Sequence, residues 1–203
     1  MKLRGWFLPD TPDVLGLLRH QLAVTISAVG GFQAWAAGDA SAAKAVLGTE
    51  REGEAAKREL LSALRAAFVT PLEPEDVFAL SRGVDRILTS ARDLVRESEA
   101  MDCPPDAGIA EMGRLLGTSL QHIDDAIVRL GSDGDEATAS ADAAITTERQ
   151  LESAYYKGMG GLLEVEDRSE RIARRELYRR CSRIGETVVE VAERVVYAVV
   201  KQS

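Results

Sequence analysis

Several kinds of residue are scarce in this sequence. Its 203 residues include only 2 Cys, 6 Pro and 2 His, and aromatic residues make up 5%. The two cysteines, Cys103 and Cys181, have no spacing that is typical of a disulfide framework or a thiolate metal site. We therefore expect free thiols and a protein that works in a reducing compartment.

Long apolar runs and excess positive charge are also lacking. Residues 1–12 hold too few apolar side chains for a signal-peptide core, and the apolar run 195–200 is far below the ~20 residues that cross a bilayer. The 33 Asp and Glu outnumber the 25 Lys and Arg, so the net charge is −8. Such a charge opposes binding to nucleic acid and to anionic membranes. We expect a cytoplasmic protein without membrane insertion that binds cations or cationic partners.

Helix-forming residues dominate what is present. Ala, Leu, Arg and Glu are abundant, and no stretch alternates with the period of two that is typical of a strand. Prolines in three close pairs and glycine-containing turns divide the chain into helical segments. The predicted segments are 12–37, 40–70, 75–102, 106–130, 136–163 and 168–202. A division at Pro104-Pro105 then predicts an all-α fold of two pseudo-repeated antiparallel three-helix bundles, 1–103 and 104–203, packed as one compact unit.

Three segments carry clear apolar stripes in steps of three and four residues, which predict their core faces. These are Val77, Leu80, Val84, Ile87, Ala91 and Leu94 in the third segment, Ile109, Met112, Leu116, Ile123, Ile127 and Leu130 in the fourth, and Leu177, Cys181, Ile184, Val188, Val191, Val195 and Ala198 in the sixth.

Two other segments have carboxylates on the expected stripe. Steps from Leu47 pass through Glu50 and Glu54, and steps from Ala141 pass through Glu148 and Glu152. Both members of the pair recur at the same offset of 98 residues, and the Thr-Glu-Arg context recurs with them. This repetition indicates a diverged internal duplication, in which Asp85 and Glu186 occupy near-equivalent flanking positions.

Carboxylates at i and i+4 repel each other, and turning them toward a neighbouring helix adds a desolvation cost. One interpretation is a hard cation, such as Mg, Ca, Mn or Fe, held by oxygen ligands. The predicted clusters would then be Glu50, Glu54 and Asp85 in one half, and Glu148, Glu152 and Glu186 in the other. The alternative interpretation is that these faces turn to solvent, without any metal, and form ordinary surface ion pairs with Arg51, Lys57, Arg58 and Arg149.

The remaining motifs are less specific. His20 and His122 lie outside any Glu-x-x-His or His-x-x-x-His pattern, which argues against a ferritin-like di-iron centre and a zincin. The glycines at 158, 160 and 161 lack the context of a phosphate loop and indicate a weakened or ending helix. The sixth segment opens with a basic face, whose usual meaning is solvation but which could also dock an acidic partner. Its arginines are Arg168, Arg171, Arg174, Arg175, Arg179, Arg180 and Arg183.

The chain resembles the PhoU-like family, specifically the stand-alone regulators associated with Pit-type phosphate permeases. The resemblance covers most of the chain. It is most specific at Glu50-Arg-Glu-Gly-Glu54, at Phe68-Val-Thr-Pro71 and at Glu75-Asp76-Val77, with Asp85 at a position where the family has an aspartate. In the second half the matching residues are Glu148 to Glu152 with Tyr155, Ile172 to Tyr178, and Glu186.

The resemblance implies two three-helix bundles whose acidic motifs bind metal. This sequence departs from the family pattern, because Glu54 and Glu152 replace the usual aspartates, and Thr89 and Ser182 stand where further acids are expected. Fewer ligands therefore remain in each half. The resemblance also implies a non-enzymatic regulator that contacts a phosphate permease or sensor, and self-association stays open. The alternatives are a metal-dependent phosphate-ester hydrolase or metal buffer, and a metal-free helical interaction scaffold.

Overall fold

The computed structural model describes residues 12–202. Within this range all the secondary structure is helical, consisting of seven α-helices and one short 3₁₀ helix at Leu162–Glu164, joined by loops. The helices are α1 (Val14–Ala36), α2 (Ala42–Gly48), α3 (Glu50–Ala66), α4 (Pro74–Ala100), α5 (Ala107–Arg129), α6 (Gly134–Gly161) and α7 (Arg168–Gln202). The expectation that residues 1–12 hold no signal-peptide core falls almost entirely on residues 1–11, which lie outside the described residues.

The prediction of an all-α fold with six long helices is confirmed. The second predicted segment is interrupted near its middle, where the seven-residue α2 ends and α3 begins. Gly48 and Thr49 are weak helix formers, and the Thr49 hydroxyl donates to the Val46 carbonyl at 2.7 Å instead of facing solvent. The glycines at the end of the fifth segment close α6 as predicted, since α6 ends at Gly161.

Aspartates cap the start of four helices. In the first turn of α1, α5, α6 and α7, a backbone N–H group donates a hydrogen bond to an aspartate side chain, and these aspartates are Asp13, Asp106, Asp133 and Asp167. These N–H groups have no partner within the helix, so an N-cap side chain stabilises each start by ~1 kcal/mol. Pro74 opens α4, where a proline loses no helical hydrogen bond.

Two central helices organise the packing. Helix α1 contacts α3, α4 and α5, while α7 contacts α4, α5 and α6, and one hydrophobic core cluster includes residues of both halves. The apolar stripes predicted for α4, α5 and α7 are all buried in this cluster. The division into units 1–103 and 104–203 stays a prediction.

Helix α1 is long and apolar enough to cross a membrane, by length and composition alone. In this fold its large side chains Leu18, Leu22 and Phe32 are fully buried against the other helices. A buried core helix of a bundle can have the same length and apolar composition as a membrane-spanning helix. The composition of α1 is therefore weak evidence for a membrane span.

The stripe predicted for α3 is wrong in register. The buried residues of α3 are Gly53, Ala56 and Leu60, whereas Glu50 and Glu54 are exposed at its flank. A Cβ on Gly53 would lie 2.3 Å from Leu88 Cδ2, so α3 packs on α4 through its smallest residue. The stripe predicted for α6 is correct in part, since Ala141 is buried and Glu148 is half-buried, whereas Glu152 is exposed. The buried residues of α6 are Ala137, Ala141, Ala144, Thr147 and Leu151. Small side chains allow close helix packing, but they contribute little to the apolar pattern that fixes a predicted face.

Candidate functional site

The acidic residues of the first half are compensated by cations of the chain itself. Glu50 begins α3, and its carboxylate contacts the guanidinium of Arg92 on α4 and lies 3.3 Å from that of Arg96. The Arg92 side chain is only 6% exposed. Burying a guanidinium without a counterion costs free energy. The ion pair with Glu50 therefore stabilises the buried position of Arg92.

The other two acids of this half are also paired. Asp85 on α4 accepts a hydrogen bond from Lys57 on α3 at 2.5 Å, and Glu54 lies 3.7 Å from Arg58 on its own helix. Glu50, Glu54 and Asp85 therefore face separate protein cations rather than one common point. Their arrangement does not fit a metal site, because the positive charge that a metal would supply is already present.

The second half has a different electrostatic environment. Glu148 is half-buried on α6 beside Gly185 of α7, where an added Cβ would lie 3.2 Å from the Glu148 Cγ and Oε1 atoms. Desolvation by burial raises the pKa of Glu148, and the nearby charges of Glu152 and Glu186 raise it further, against a smaller opposing effect of Arg149. The three acidic residues predicted for this half are thus brought into one electrostatic group.

No cation of the described chain forms an ion pair with Glu148, Glu152 or Glu186. The predicted internal repeat accounts for this difference between the halves. Its offset is 98 residues for the α3 motif and 101 residues from Asp85 to Glu186 on α4 and α7, so Lys57, Arg92 and Arg96 correspond to Tyr155, Glu193 and Tyr197. The cations that neutralise the first half are therefore absent from the corresponding positions of the second.

The donor chemistry of the second half suits a hard cation, since carboxylate oxygens are its only charged ligands. The side chains are not gathered as a formed site, however. Within residues 12–202, no group of three or more His, Cys, Asp or Glu side chains is arranged so that it could hold a metal ion. Glu152 and Glu186 are exposed, so both would have to move toward Glu148 to share a cation.

The burial of two charged residues was not predicted from the sequence. Arg92 is one, and Asp76 at the start of α4 is the other, with its side chain 2% exposed. Asp76 lies 3.1 Å from Arg194 and 3.0 Å from Lys201, so it ties the beginning of α4 to the end of α7. The burial of Arg92 could have been predicted from its spacing. It lies four residues after Leu88 and three before Val95, on a buried face of α4.

The basic beginning of α7 has two sides with different roles. Toward the core, Arg174 lies 3.0 Å from Asp106, which also accepts a hydrogen bond from the Tyr178 hydroxyl at 2.7 Å. Burial, followed by the Asp106 carboxylate, raises the pKa of Tyr178. Arg180 pairs with Glu97 of α4. These arginines fix α7 against its neighbours. Arg168, Arg175 and Arg183 are exposed, whereas Arg171 and Arg179 are half-buried.

Comparison with known proteins gives a likeness of fold. No protein-family model and no curated protein sequence matches the chain. Among solved structures, a protein of Shewanella oneidensis MR-1 described as a PhoU-like phosphate regulatory protein has a TM-score of 0.76 and 14% sequence identity. The match covers 93% of this chain and 100% of that one. A PhoU-like protein of the same organism has a TM-score of 0.75 and 13% identity, covering 92% of this chain and 99% of the other.

These comparisons define the class as all-α proteins with the PhoU-like fold. At this level of identity they establish the fold and nothing finer. The fold predicted from the sequence resemblance is thereby confirmed, while the association with a Pit-type permease stays a prediction.

Proposed function

We propose that this chain is a non-enzymatic, cytoplasmic accessory protein that regulates inorganic phosphate transport by contacting a phosphate permease or sensor. The observation that carries the proposal is the full-length likeness to a phosphate regulatory protein, which leaves no part of that protein uncovered. The sequence motifs at Glu50–Glu54 and Phe68–Pro71 support it as well, since they resemble motifs of the same family.

The chemistry of the cysteines agrees with a regulator rather than an enzyme. Both thiols are free and buried. Burial raises the pKa of Cys181 to about 12 and also raises that of Cys103. A thiol attacks as its thiolate, so neither cysteine is suited to be a nucleophile near neutral pH.

The exposed surface of the α3–α4 junction supports a role in binding another protein. Phe68 is 94% exposed and Val69 is 64% exposed, directly before Leu72, which is buried. An exposed aromatic residue on a loop anchored by a buried neighbour can serve as an interface anchor. We assign this junction, residues 67–73, to contact with the permease or sensor.

For the metal, we propose that the two halves differ. Glu148, Glu152 and Glu186 are the residues that would hold a cation such as Mg, Ca, Mn or Fe, and its charge would relieve their mutual repulsion. Glu50, Glu54 and Asp85 keep their protein partners instead. Metal analysis of the purified protein, repeated with Glu148→Gln and with Glu50→Gln, tests this: only the first substitution should lower the bound metal.

The two alternatives rest on particular observations. A metal buffer or metal-dependent hydrolase would depend on the acidic group around Glu148, and turnover of a phosphate ester that requires added metal would favour it. A metal-free interaction scaffold is favoured by the ion pairs that neutralise the first half. Metal-free purified protein that still binds its partner would support the scaffold.

The proposed regulation is tested with the partner itself. The protein is expressed with an affinity tag in its own cell, and the proteins that co-purify are identified. A phosphate permease or sensor should be recovered, and Phe68→Ser should reduce its recovery while Tyr156→Ser, at an exposed aromatic residue of α6, should not. Whether the adjacent gene encodes a phosphate permease is an independent check.

A further inference from the structure

The outward side of α7 forms one continuous stripe. Its members follow one another in steps of three and four residues, so they stay on the side of the helix opposite the buried stripe of Leu177 and Cys181. All are exposed except Arg179, which is half-buried. The stripe consists of Arg168, Ile172, Arg175, Arg179, Arg183, Glu186, Glu190, Glu193 and Tyr197.

Charge is separated along this stripe. The part before residue 184 carries four arginines, and the part after residue 185 carries three glutamates. Arg168, Arg175 and Arg183 form no ion pair with any residue that the structure describes, and Arg179 reaches Glu176 only at 4.0 Å. Glu190 pairs with Arg86, whereas Glu186 and Glu193 have no ion-pair partner in the described range. Most of the charge on the stripe is therefore uncompensated within the chain.

An exposed apolar residue lies in each of the two parts. Ile172, in the basic part, is 58% exposed, and Tyr197, beyond the glutamates, is 51% exposed. The two residues are therefore nearly equidistant from the point where the charge changes sign, between Arg183 and Glu186. The two parts of this surface are opposite in charge and extend equally far from the point where the charge changes sign. Such a surface is complementary to a second copy of itself related by a two-fold axis.

We propose that α7 packs antiparallel against α7 of a second copy of this chain, about a two-fold axis that crosses the helix between Arg183 and Glu186. Arg179 then faces Glu190 of the second copy, and Arg175 faces Glu193. Ile172 faces the ring of Tyr197, so an apolar side chain meets an aromatic ring at both ends. Within its own chain the centroid of that ring also lies 5.3 Å from Arg194 Cζ and 5.2 Å from Lys201 Nζ. Each contact occurs twice, as an isologous interface requires.

A second copy matches this surface better than other occupants do. An anionic membrane or an acidic peptide would match the arginines but would meet repulsion from the glutamates of the same stripe. The net charge of −8 also opposes adsorption to an anionic bilayer. Only a partner with the opposite order of charges satisfies both parts, and the antiparallel copy has that order.

The size of the contact predicts its strength. The stripe from Ile172 to Tyr197 is about 38 Å long at ~1.5 Å per residue, and one helix face is narrow compared with a standard protein interface. Most of its attraction is between solvent-exposed charges, which salt screens. The dimer is consequently weak, concentration-dependent and salt-sensitive. This inference does not depend on the proposed role in phosphate transport.

Sedimentation equilibrium of the full chain measures the association directly, at about 20 mM and about 500 mM NaCl. The weight-average mass should rise from 21.9 kDa toward twice that value with concentration at low salt, and much less at high salt. Arg175→Glu and Glu193→Arg should each weaken dimerisation about tenfold or more, because each places like charges together at two points. The double substitution should restore it.

Arg65→Glu, at an exposed arginine of α3, is the matched control and should leave the dimer unchanged. Circular dichroism of every variant checks that the fold is retained. A protein that stays monomeric at low salt up to about 500 μM would overturn the proposal. So would a dimer that Arg175→Glu does not weaken, or a double substitution without rescue. Arg175-dependent binding to vesicles of anionic phospholipid, without self-association, would assign the surface to a membrane instead.

Discussion

The guanidinium of Arg92 on α4 is buried against the carboxylate of Glu50, the first residue of α3. Together with the ion pairs of Glu54 and Asp85, this contact gives each acidic residue of the first-half motif a cationic partner within the protein. The equivalent carboxylate of the second half, Glu148, has other carboxylates as neighbours instead, and its pKa is raised. The two halves thus share an acidic motif but differ in what neutralises it.

Neutralising Glu50 should destabilise the protein. In Glu50→Gln the buried Arg92 loses its main counterion, and we expect the free energy of unfolding to fall by about 1–3 kcal/mol. Urea unfolding followed by circular dichroism measures the change. Glu54→Gln is the control, because its only ion pair is with Arg58 at 3.7 Å on an exposed surface, and it should change stability by under about 0.5 kcal/mol. Equal effects of the two substitutions would show that Arg92 does not depend on Glu50.

Neutralising Glu148 should have the opposite effect in metal-free protein. Glu148→Gln removes repulsion from Glu152 and Glu186, and we expect stabilisation of about 0.5 kcal/mol at pH 7 in the presence of chelator. The folded-state pKa of Glu148 lies above its ordinary value of 4.5, so the folded state favours the protonated form. Its contribution to the free energy of unfolding therefore falls as the pH rises from 4.5 through the raised pKa.

The pH series separates this effect from other changes. Melting temperatures of the wild type and Glu148→Gln should be similar near pH 4 and should diverge as the pH increases, with the variant more stable. With a saturating divalent cation that binds the site, the order at pH 7 should reverse, because the variant loses a ligand. A variant that is less stable at every pH in chelator would contradict the repulsion described for this half.

Asp76, the buried acid at the start of α4, should be needed to hold the end of α7 against α4. Asp76→Asn leaves Arg194 and Lys201 without their shared carboxylate, and we expect a loss of about 2–4 kcal/mol. Glu75→Gln, at the exposed neighbouring position, should have little effect. Hydrogen exchange adds a local test, since the last turns of α7 should lose protection in Asp76→Asn first. Unchanged protection there would mean that the contact does not hold the end of α7.

The close approach of α3 to α4 should depend on Gly53. Gly53→Ala places a methyl group about 2.3 Å from Leu88 Cδ2, so the helices or the leucine must shift, at a cost of about 1–3 kcal/mol. Gly48→Ala is the matched control, because nothing lies within 4 Å of the added atom, and it should be neutral or stabilising by up to about 1 kcal/mol. Thermal melts that rank the two variants in the reverse order would contradict the packing described for α3.

Much of the fold follows from the sequence, and the limits have physical causes. Large apolar side chains at regular spacing fixed the faces of α4, α5 and α7, and all the residues predicted for those faces are buried. Helices α3 and α6 pack through Gly and Ala, whose pattern is too weak to distinguish one face from the next. The break at Thr49 was also missed, because Gly48 and Thr49 lower helix stability without excluding a helix.

The candidate site was predictable only in part. Spacing identified Glu148 and Glu152, and the repeat added Glu186, which the structure brings into one electrostatic group. The same reasoning placed Glu50 and Asp85 together as ligands, because a sequence pattern for carboxylates does not include the cations on neighbouring helices. Lys57 was named as a surface ion-pair partner in the metal-free interpretation, but its particular pairing with Asp85 depends on how α3 is turned against α4.

Uptake of radiolabelled phosphate measures the proposed role in phosphate transport directly. The initial rate is compared in cells with the gene, in a deletion strain and in the deletion strain carrying the gene on a plasmid, each grown at low and at high phosphate. We expect deletion to change the uptake rate in at least one condition and the plasmid to restore it. Unchanged uptake in the deletion strain under both conditions would contradict the proposed role.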